Sequence, residues 1–189
     1  MPHSLITERL LVRPWRASDR APFAELNADP EVMRYFPATR NRAESDYVAD
    51  QISQHIAREG FGFWALEHRT TQEFLGFTGL ARVGSVMPFG PTVEIGWRLK
   101  RAAWGLGYAT EAARASLRFG FNIKLFPEIV AFTALGNLPS QRVMERIGMQ
   151  RDPDSFEHPS IAEGSPIRTH CLYRLTRSRW KDDSKLDVS

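Results

Sequence analysis

The chain of 189 residues contains a single cysteine, Cys171, and only five histidines. One cysteine cannot form an internal disulfide, and the scattered histidines do not reach the spacing of a metal site, so we expect neither a disulfide framework nor a bound metal. No apolar run approaches the ~20 residues of a membrane-spanning helix, and the N-terminal stretch has no secretory signal pattern. These absences predict a cytoplasmic protein without a membrane partner.

Strong charge of either sign is also missing. The formal net charge is +3, which does not require nucleic acid as a partner but suits an anionic cofactor. The 42% hydrophobic and 25% charged residues are ordinary for a globular protein. The length predicts one domain, which we place at residues 1–176, followed by a flexible tail, 177–189. We expect a monomer or a homodimer.

The periodicity of apolar residues predicts an α/β fold around a mixed sheet. Val48, Ile52 and Ile56 recur every four residues and Gly60 follows, which predicts a helix over 41–59. The stretches "FGFWALEH" and "EFLGFTGLARV" predict a hairpin through "RTTQ". Further strands are predicted at "ERLLVRPW", "TVEIGWRLK", "EIVAFTAL" and "RTHCLYRLT", and further helical segments at "ASDRAPFAELNADP", "PEVMRYF" and "NLPSQRVMERIG".

A short stretch, "WGLGYAT" at residues 104–110, precedes a helical pattern; we call it the glycine loop. One helix joins the flanking strands, which predicts a parallel pair with a right-handed crossover. Free N–H groups at the start of a helix bind phosphate, and Gly105 and Gly107 let an anion approach the backbone. We therefore predict a pyrophosphate site, with a plain glycine-rich turn as the alternative. The loop has no Walker lysine, and Thr110 stands where a dinucleotide fingerprint has glycine.

The helix after the glycine loop has two predicted faces. Small and apolar residues fall on one face and are expected to pack on the sheet: Ala109, Ala113, Leu117 and Phe121. Polar residues are expected on the solvated face: Glu111, Arg114, Arg118 and Asn122.

Together, "WGLGYATEA" and "NLPSQRVMERIGM" resemble the GNAT acetyltransferases. The segments "TERLLVRPW", "NADPEVMRYF" and "FEHP…IRTHCLYRL" are similar to the ribosomal-protein N-terminal acetyltransferase-like branch of that family, and the resemblance covers about residues 5–176. The family pattern Gln/Arg-x-x-Gly-x-Gly/Ala falls on Trp104, Gly107 and Ala109. Here Trp104 replaces the polar residue, which removes one polar contact.

The resemblance implies a largely antiparallel mixed sheet of about seven strands, with a splayed parallel pair and helices on both faces. It implies acetyl-CoA as co-substrate and an amine as acceptor, without a metal. The pantetheine arm would pair with backbone near Trp97 and Leu99. Asn137 would bond the amide of that arm, with a helix cap as the alternative role; the two roles are compatible, because a cap leaves the side-chain NH₂ free. Backbone amides of the glycine loop would hold the pyrophosphate: Trp104, Gly105, Leu106, Gly107, Tyr108, Ala109 and Thr110.

Glu94 is the predicted general base, because a lone carboxylate in the apolar strand "TVEIGW" is costly without a partner or a role. The alternative is a solvent-facing Glu94. Many family members have a proton-donating tyrosine where Met144 stands, so we assign that role to Ser140, one turn earlier; an auxiliary helix cap is the alternative. We expect Cys171 to be a buried structural residue rather than an acyl carrier.

The acceptor site is expected near the N-terminal helices and the loop before "TVEIGW", lined by Tyr35, Phe36 and Phe89. Trp64 is expected in the core, and Asp46 and Asp50 on a solvated face. An α-amine, with a pKa of about 8, needs less help from a base than lysine, with a pKa of about 10.4, which favours a protein N-terminus as acceptor. A small-molecule amine, a non-catalytic acyl-CoA-binding module and a nucleotide-binding oxidoreductase remain alternatives.

Overall fold

The computed structural model describes residues 4–183, with side chains described to residue 180. In this part of the chain the strands are β1 Leu5–Ile6, β2 Leu10–Arg13, β3 Phe63–His68, β4 Phe74–Val83, β5 Thr92–Leu99, β6 Glu128–Ala134, β7 Gln150–Glu157 and β8 Thr169–Thr176. The α-helices are α1 Arg20–Ala28, α2 Arg42–Glu59, α3 Tyr108–Arg118, α4 Leu138–Arg146 and α5 Arg177–Asp183.

The strands form one sheet in the order β1-β2-β3-β4-β5-β6-β8-β7. The β1–β2, β2–β3, β3–β4, β6–β8 and β7–β8 neighbours are antiparallel. In contrast, β5 and β6 pair in parallel at Glu94 and Val130. The expected α/β fold with a largely antiparallel sheet and a parallel pair is confirmed, with eight strands in the described chain instead of about seven.

The strand β7 was not predicted from the sequence. Half of its eight residues, "QRDPDSFE", are charged, and Pro153 interrupts the run. The strand lies at the end of the sheet and pairs with β8. Charged residues and proline are typical of such edge strands, where no further strand must be paired. Backbone pairing with β8, rather than an apolar pattern, therefore makes this segment a strand.

Several local predictions are confirmed. The helix α2 begins with a capping box, in which the Asn41 side chain accepts the N–H of Glu44 and the Glu44 carboxylate accepts the N–H of Asn41. It ends at Gly60, whose φ of 72° is in the left-handed region. The β3–β4 hairpin forms as expected.

The segment "PEVMRYF" was expected to be helical but forms hydrogen-bonded turns. The N–H of Met33 bonds to the carbonyl of Asp29, and the N–H of Phe36 bonds to the carbonyl of Met33.

Contacts divide the chain into two compact units, Met1–Ala81 with Gly96–Ser116, and Arg82–Ile95 with Leu117–Ser189. Both β5 and α3 contribute residues to each unit. The single domain expected over residues 1–176 stays a prediction.

An aromatic cluster forms a core in the first unit. Phe23 of α1 is fully buried and clusters with the buried Phe74 and Phe77 of β4. Trp15 packs edge-on against Phe23 with ring centroids 4.8 Å apart. Trp64 is also fully buried, as expected. Ala49 of α2 belongs to the same cluster, and Val48 and Ile52, two residues of the predicted apolar face of α2, pack against it.

A buried ion cluster stabilises the same unit. The guanidinium of Arg13 forms two hydrogen bonds to Asp19, at 2.7 and 2.8 Å, and one to Glu67 at 2.8 Å. All three residues are buried, and Arg16 reaches Glu67 from the surface. Such a cluster tolerates burial because every charge has an opposite partner.

The second unit contains β6, β8, β7 and α4. The first residues of the expected tail, 177–183, form α5. The ring of Trp180 stacks on that of Phe121 with centroids 5.8 Å apart, and the Arg177 N–H bonds to the carbonyl of Pro127. The tail prediction for 184–189 lies outside the described residues.

Candidate active site

The glycine loop follows a short 3₁₀ turn, Arg101–Ala103, and leads into α3. Gly105 and Gly107 have φ angles of 74° and 82°, which side chains other than glycine rarely adopt. A Cβ at Gly105 would meet no atom within 4 Å, and one at Gly107 would meet only the end of the Arg9 side chain at 3.4 Å. The glycines are thus required by the backbone conformation, and the space beside them is open.

The geometry at the start of α3 suits an anion. Glu111 N–H bonds to Gly107 O, the first bond of the helix. The N–H groups of Tyr108, Ala109 and Thr110 precede this bond and have no partner within the helix, as at every helix start. They carry the partial positive charge of the helix dipole. The residues present therefore fit a phosphate group, which keeps the predicted pyrophosphate site as a proposal.

Trp104, which replaces the polar residue of the family pattern, has a structural contact. Its indole N–H donates to the Leu99 carbonyl at 2.8 Å, while about half of the residue remains exposed. The loop is thereby fastened to the end of β5. The predicted pairing of a pantetheine arm near Trp97 and Leu99 would have to share this carbonyl or use other backbone groups of the strand.

Glu111 is not on the solvated face where the helix pattern placed it. Its carboxylate accepts hydrogen bonds from Thr7 Oγ1 at 2.6 Å, Arg9 N at 2.9 Å and Arg9 Nε at 2.7 Å. Burial alone would raise the pKa of Glu111, but the hydrogen bonds from Thr7 and Arg9 and the charge of Arg9 outweigh it and lower the pKa. Arg9 also donates to the Leu106 carbonyl at 2.9 Å and lies over the Tyr108 ring at 4.6 Å. This cluster holds the glycine loop in place, and no local sequence signal revealed it.

Glu94, in the second unit, lies between the buried residues Val93 and Ile95 on β5. It retains some accessible surface, but protein atoms surround the carboxyl group, and this burial raises its pKa to about 7. No hydrogen bond or opposite charge within residues 4–180 offsets the desolvation. A carboxylate that titrates near neutral pH suits proton transfer at that pH.

Asn137 and Ser140 lie at the start of α4. The Asn137 side-chain oxygen accepts the N–H of Ser140 at 3.3 Å, so the helix-cap interpretation is correct. We expected the cap to leave the amide NH₂ free, but it donates to Thr133 Oγ1 at 2.9 Å, so only one of its hydrogens remains. The Ser140 hydroxyl has no hydrogen bond within residues 4–180, whereas Met144 is buried in the core.

The predicted acceptor residues are found in both units. Tyr35 and Phe36 belong to the first unit, where Phe36 lines a cavity of about 460 Å³. Phe89 belongs to the second unit and packs on Phe132 and Phe156, with ring centroids 5.3 and 5.1 Å away.

Cys171 is buried, and this burial raises the pKa of its thiol, as expected for a structural cysteine.

On the face of α2 that was expected to be solvated, Asp46 and Asp50 keep 30% and 49% of their side-chain surface exposed and form surface ion pairs. Arg20 of α1 pairs with both Asp46 and Asp50, and Asp46 also accepts from Arg42 at 2.8 Å. These contacts join α1 to α2, so the two aspartates are structural rather than part of an acidic binding pocket.

Sequence reasoning also missed Arg98. This arginine lies on β5 four residues after Glu94, and residues at even spacing share one face of a strand. A charged residue at that position in an apolar strand was a detectable signal, of the same kind as Glu94 itself. Within residues 4–183, no group of three or more His, Cys, Asp or Glu residues is arranged to hold a metal ion, and no helix is long and apolar enough to cross a membrane.

Comparison with known proteins identifies the class to which this fold belongs. A family model described as an acetyltransferase (GNAT) domain matches residues 9–150. The chain therefore belongs to the GNAT acetyltransferase family, whose members use acetyl-CoA as co-substrate.

Particular relatives support the same family. The chain is 36% identical to the uncharacterized protein YkkB of Bacillus subtilis over 77% of this chain and 84% of that protein. It is 29% identical to the FsC-acetyl coenzyme A-N(2)-transacetylase of Aspergillus fumigatus, over 94% of this chain and 77% of that one. The crystal structure of a GNAT-family acetyltransferase from Bacillus anthracis superposes with a TM-score of 0.78 at 25% identity, covering 93% of this chain and 99% of that chain.

Proposed function

We propose that this GNAT-family chain transfers an acetyl group from acetyl-CoA to a primary amine by direct attack, with the α-amine of a protein N-terminus as acceptor. The observation that carries the proposal is the glycine loop, in which two glycines of positive φ leave an open approach to the first N–H groups of α3. A pyrophosphate bound there would be held by backbone amides and by the helix dipole.

Glu94 takes the proton of the attacking amine, directly or through a water molecule. With a pKa of about 7, half of its carboxyl groups are ionised at neutral pH, which is the condition for an effective base. About a tenth of an α-amine with a pKa near 8 is already neutral at pH 7. A lysine acceptor would require on the order of 3 kcal/mol more. Glu94, as a weak base, is therefore better suited to an α-amine than to the more basic amine of lysine.

Ser140 assists the departure of the CoA thiolate. Its backbone N–H is used by the Asn137 cap, which fixes the residue at the first turn of α4, and its hydroxyl is left available. A hydroxyl is able to donate a hydrogen bond or relay a proton to sulfur. The contribution is modest because a thiol with a pKa near 8.5 already leaves readily as thiolate.

A small-molecule amine is the second candidate acceptor. The name of the Aspergillus fumigatus relative describes acetyl transfer from coenzyme A to an N(2) nitrogen, which supports nitrogen as the acceptor atom without requiring a protein.

The test is to incubate the purified protein with acetyl-CoA and a panel of N-terminal peptides and small amines, and to detect the free thiol released. We expect turnover with peptide α-amines and a lower rate near neutral pH in Glu94→Gln. If no amine is turned over but CoA raises the melting temperature, the protein is a non-catalytic acyl-CoA-binding module and not an enzyme. A melting temperature raised by NAD and not by CoA would favour an oxidoreductase.

A further inference from the structure

The cavity of about 460 Å³ in the first unit lies between the chain segment 36–40 and the first two turns of α2. The cavity is open to solvent, because seven of its eight lining residues are exposed and Arg40 is half-buried. The lining is mostly small or apolar, and Arg40 and Glu44 give it one charge of each sign. The Glu44 carboxylate accepts the N–H of Asn41 as part of the α2 capping box. Arg40 lines the cavity with no hydrogen-bond or ion-pair partner for its guanidinium within residues 4–180.

A second arginine, Arg98, packs against Phe36, one of the residues that line the cavity. The guanidinium of Arg98 is 4.0 Å from the ring centroid of Phe36, a cavity-lining residue, and 5.3 Å from that of Phe77. Its Nη1 donates to the side chain of Asn27 at 2.6 Å, while its Nε is buried with no hydrogen-bond partner. No carboxylate within residues 4–180 pairs with Arg98, although a buried cation ordinarily has one.

Asn27 joins the two arginines. It is completely buried, its backbone carbonyl accepts the N–H of Arg40, and its side-chain oxygen accepts from Arg98. Its amide nitrogen donates to Ser45 of α2, which fixes the orientation of the side chain. Two cations are thus held near each other by one neutral residue. Burial, with a contribution from the charge of Arg40, lowers the pKa of Arg98 to about 9. The pKa is lowered because no negative charge within residues 4–180 offsets these two effects.

We propose that this cavity binds a carboxylate of the acceptor, so that the protein prefers amines whose molecules also carry a carboxylate. The proposal rests on the acetyltransferase function proposed above and narrows its acceptor class. A carboxylate in the cavity would reach the guanidinium of Arg40. Arg98 does not line the cavity and would act on the carboxylate only through its charge, from behind the ring of Phe36. The carboxylate of Glu44, the other charged residue of the lining, accepts the N–H of Asn41 in the capping box. The start of α2, with its positive dipole end, faces the same cavity through Ala43 and adds to the attraction. The guanidinium of Arg40 suits a carboxylate because its fork of donors matches the two oxygens.

The test uses tetrapeptide amides with an N-terminal serine and one glutamate at the second, third or fourth position, each beside its glutamine counterpart. We expect the wild-type kcat/KM to be about ten- to a hundredfold higher for the best glutamate peptide, through a lower KM, since hydrogen bonds to charged groups contribute on this scale. Without acetyl-CoA, the same peptide should raise the melting temperature more than its glutamine counterpart does.

Arg40→Gln should remove most of this preference by raising KM for the glutamate peptide. Arg98→Gln should reduce the preference by less, because its guanidinium lies behind the ring of Phe36. Both variants should keep the rise in melting temperature caused by CoA. Arg42→Gln is the matched control, because Arg42 is exposed and pairs with Asp46, outside the cavity lining. It removes the same charge and should keep the preference. Arg40 is only half-buried, so its variant should remain folded even if Arg98→Gln does not.

Equal kcat/KM values for glutamate and glutamine peptides in the wild type would overturn the carboxylate site while leaving the proposed function intact. Selective binding of glutamate peptides without any acetyl transfer would support the site and refute the function. A preference for phosphoserine peptides over both would overturn the carboxylate in favour of a phosphate. If the arginine variants lowered only the thermal stability and kept the preference, Arg40 and Arg98 would be structural.

Discussion

Replacing Glu94 with glutamine removes the carboxylate charge while nearly preserving the shape of the side chain. The pKa of Glu94 is raised from 4.5 to about 7 because burial disfavours its charged form. A folded state that binds the proton more tightly than the unfolded state loses stability as pH rises between these two values. The stability is fully present below pH 4.5 and lost as the pH passes 7. The full loss corresponds to about 3 kcal/mol.

The glutamine variant has no such titration. Between pH 5 and pH 8, we therefore expect the stability of Glu94→Gln relative to wild type to increase by about 2 to 3 kcal/mol. Urea unfolding of both proteins at the two pH values measures this difference, and the other titrating groups cancel in the comparison. Glu128→Gln is a useful control, because Glu128 forms an ion pair with Arg174 and should not give this gain at pH 8.

The same substitution tests the catalytic role. The wild-type rate should rise through pH 7 as Glu94 ionises, whereas the variant should be slowest near neutral pH and recover at higher pH, where the amine loses its own proton. Parallel stability curves for the two proteins would refute the burial argument. Matching pH–rate profiles at similar rates would show that Glu94 is not the base.

Three further predictions concern other parts of the molecule. Gly107→Val should abolish the rise in melting temperature caused by CoA. Gly164→Val is the control, because Gly164 has a similar positive φ in an open loop, and this variant should keep the rise. A full response of Gly107→Val to CoA would refute the phosphate site. Ser140→Ala should lower turnover about ten- to a hundredfold with CoA affinity nearly constant, and turnover within about twofold of wild type would mean that water protonates the sulfur. Arg13→Ala should lower the free energy of unfolding by about 3–5 kcal/mol, because it leaves the buried Asp19 without its ion-pair partner and Glu67 with only the exposed Arg16. Arg16→Ala, at the exposed end of the same cluster, should lower it by less than about 1 kcal/mol; equal losses would show that burial does not set the strength of these pairs.

Local patterns in the sequence were sufficient to predict much of the fold. The helix α2 needed only its apolar period, its asparagine cap and its terminal glycine, all within 20 residues of chain. The glycine loop was identified because two glycines before a helix have few uses other than a positive φ and an open backbone. Glu94 was identified as a charge in an apolar strand, and burial does raise its pKa.

Other features depended on residues far apart in the sequence. Glu111 was assigned to solvent by its helix period, but the carboxylate bonds to Arg9, 102 positions earlier. The contact between Arg98 and Asn27 spans 71 positions, and β7 is a strand because β8 supplies its hydrogen bonds. Periodicity reports which face of an element is apolar, since that depends on neighbours three or four residues away. It cannot report which polar group meets another across the fold, because that partner is brought there only when the sheet and helices pack.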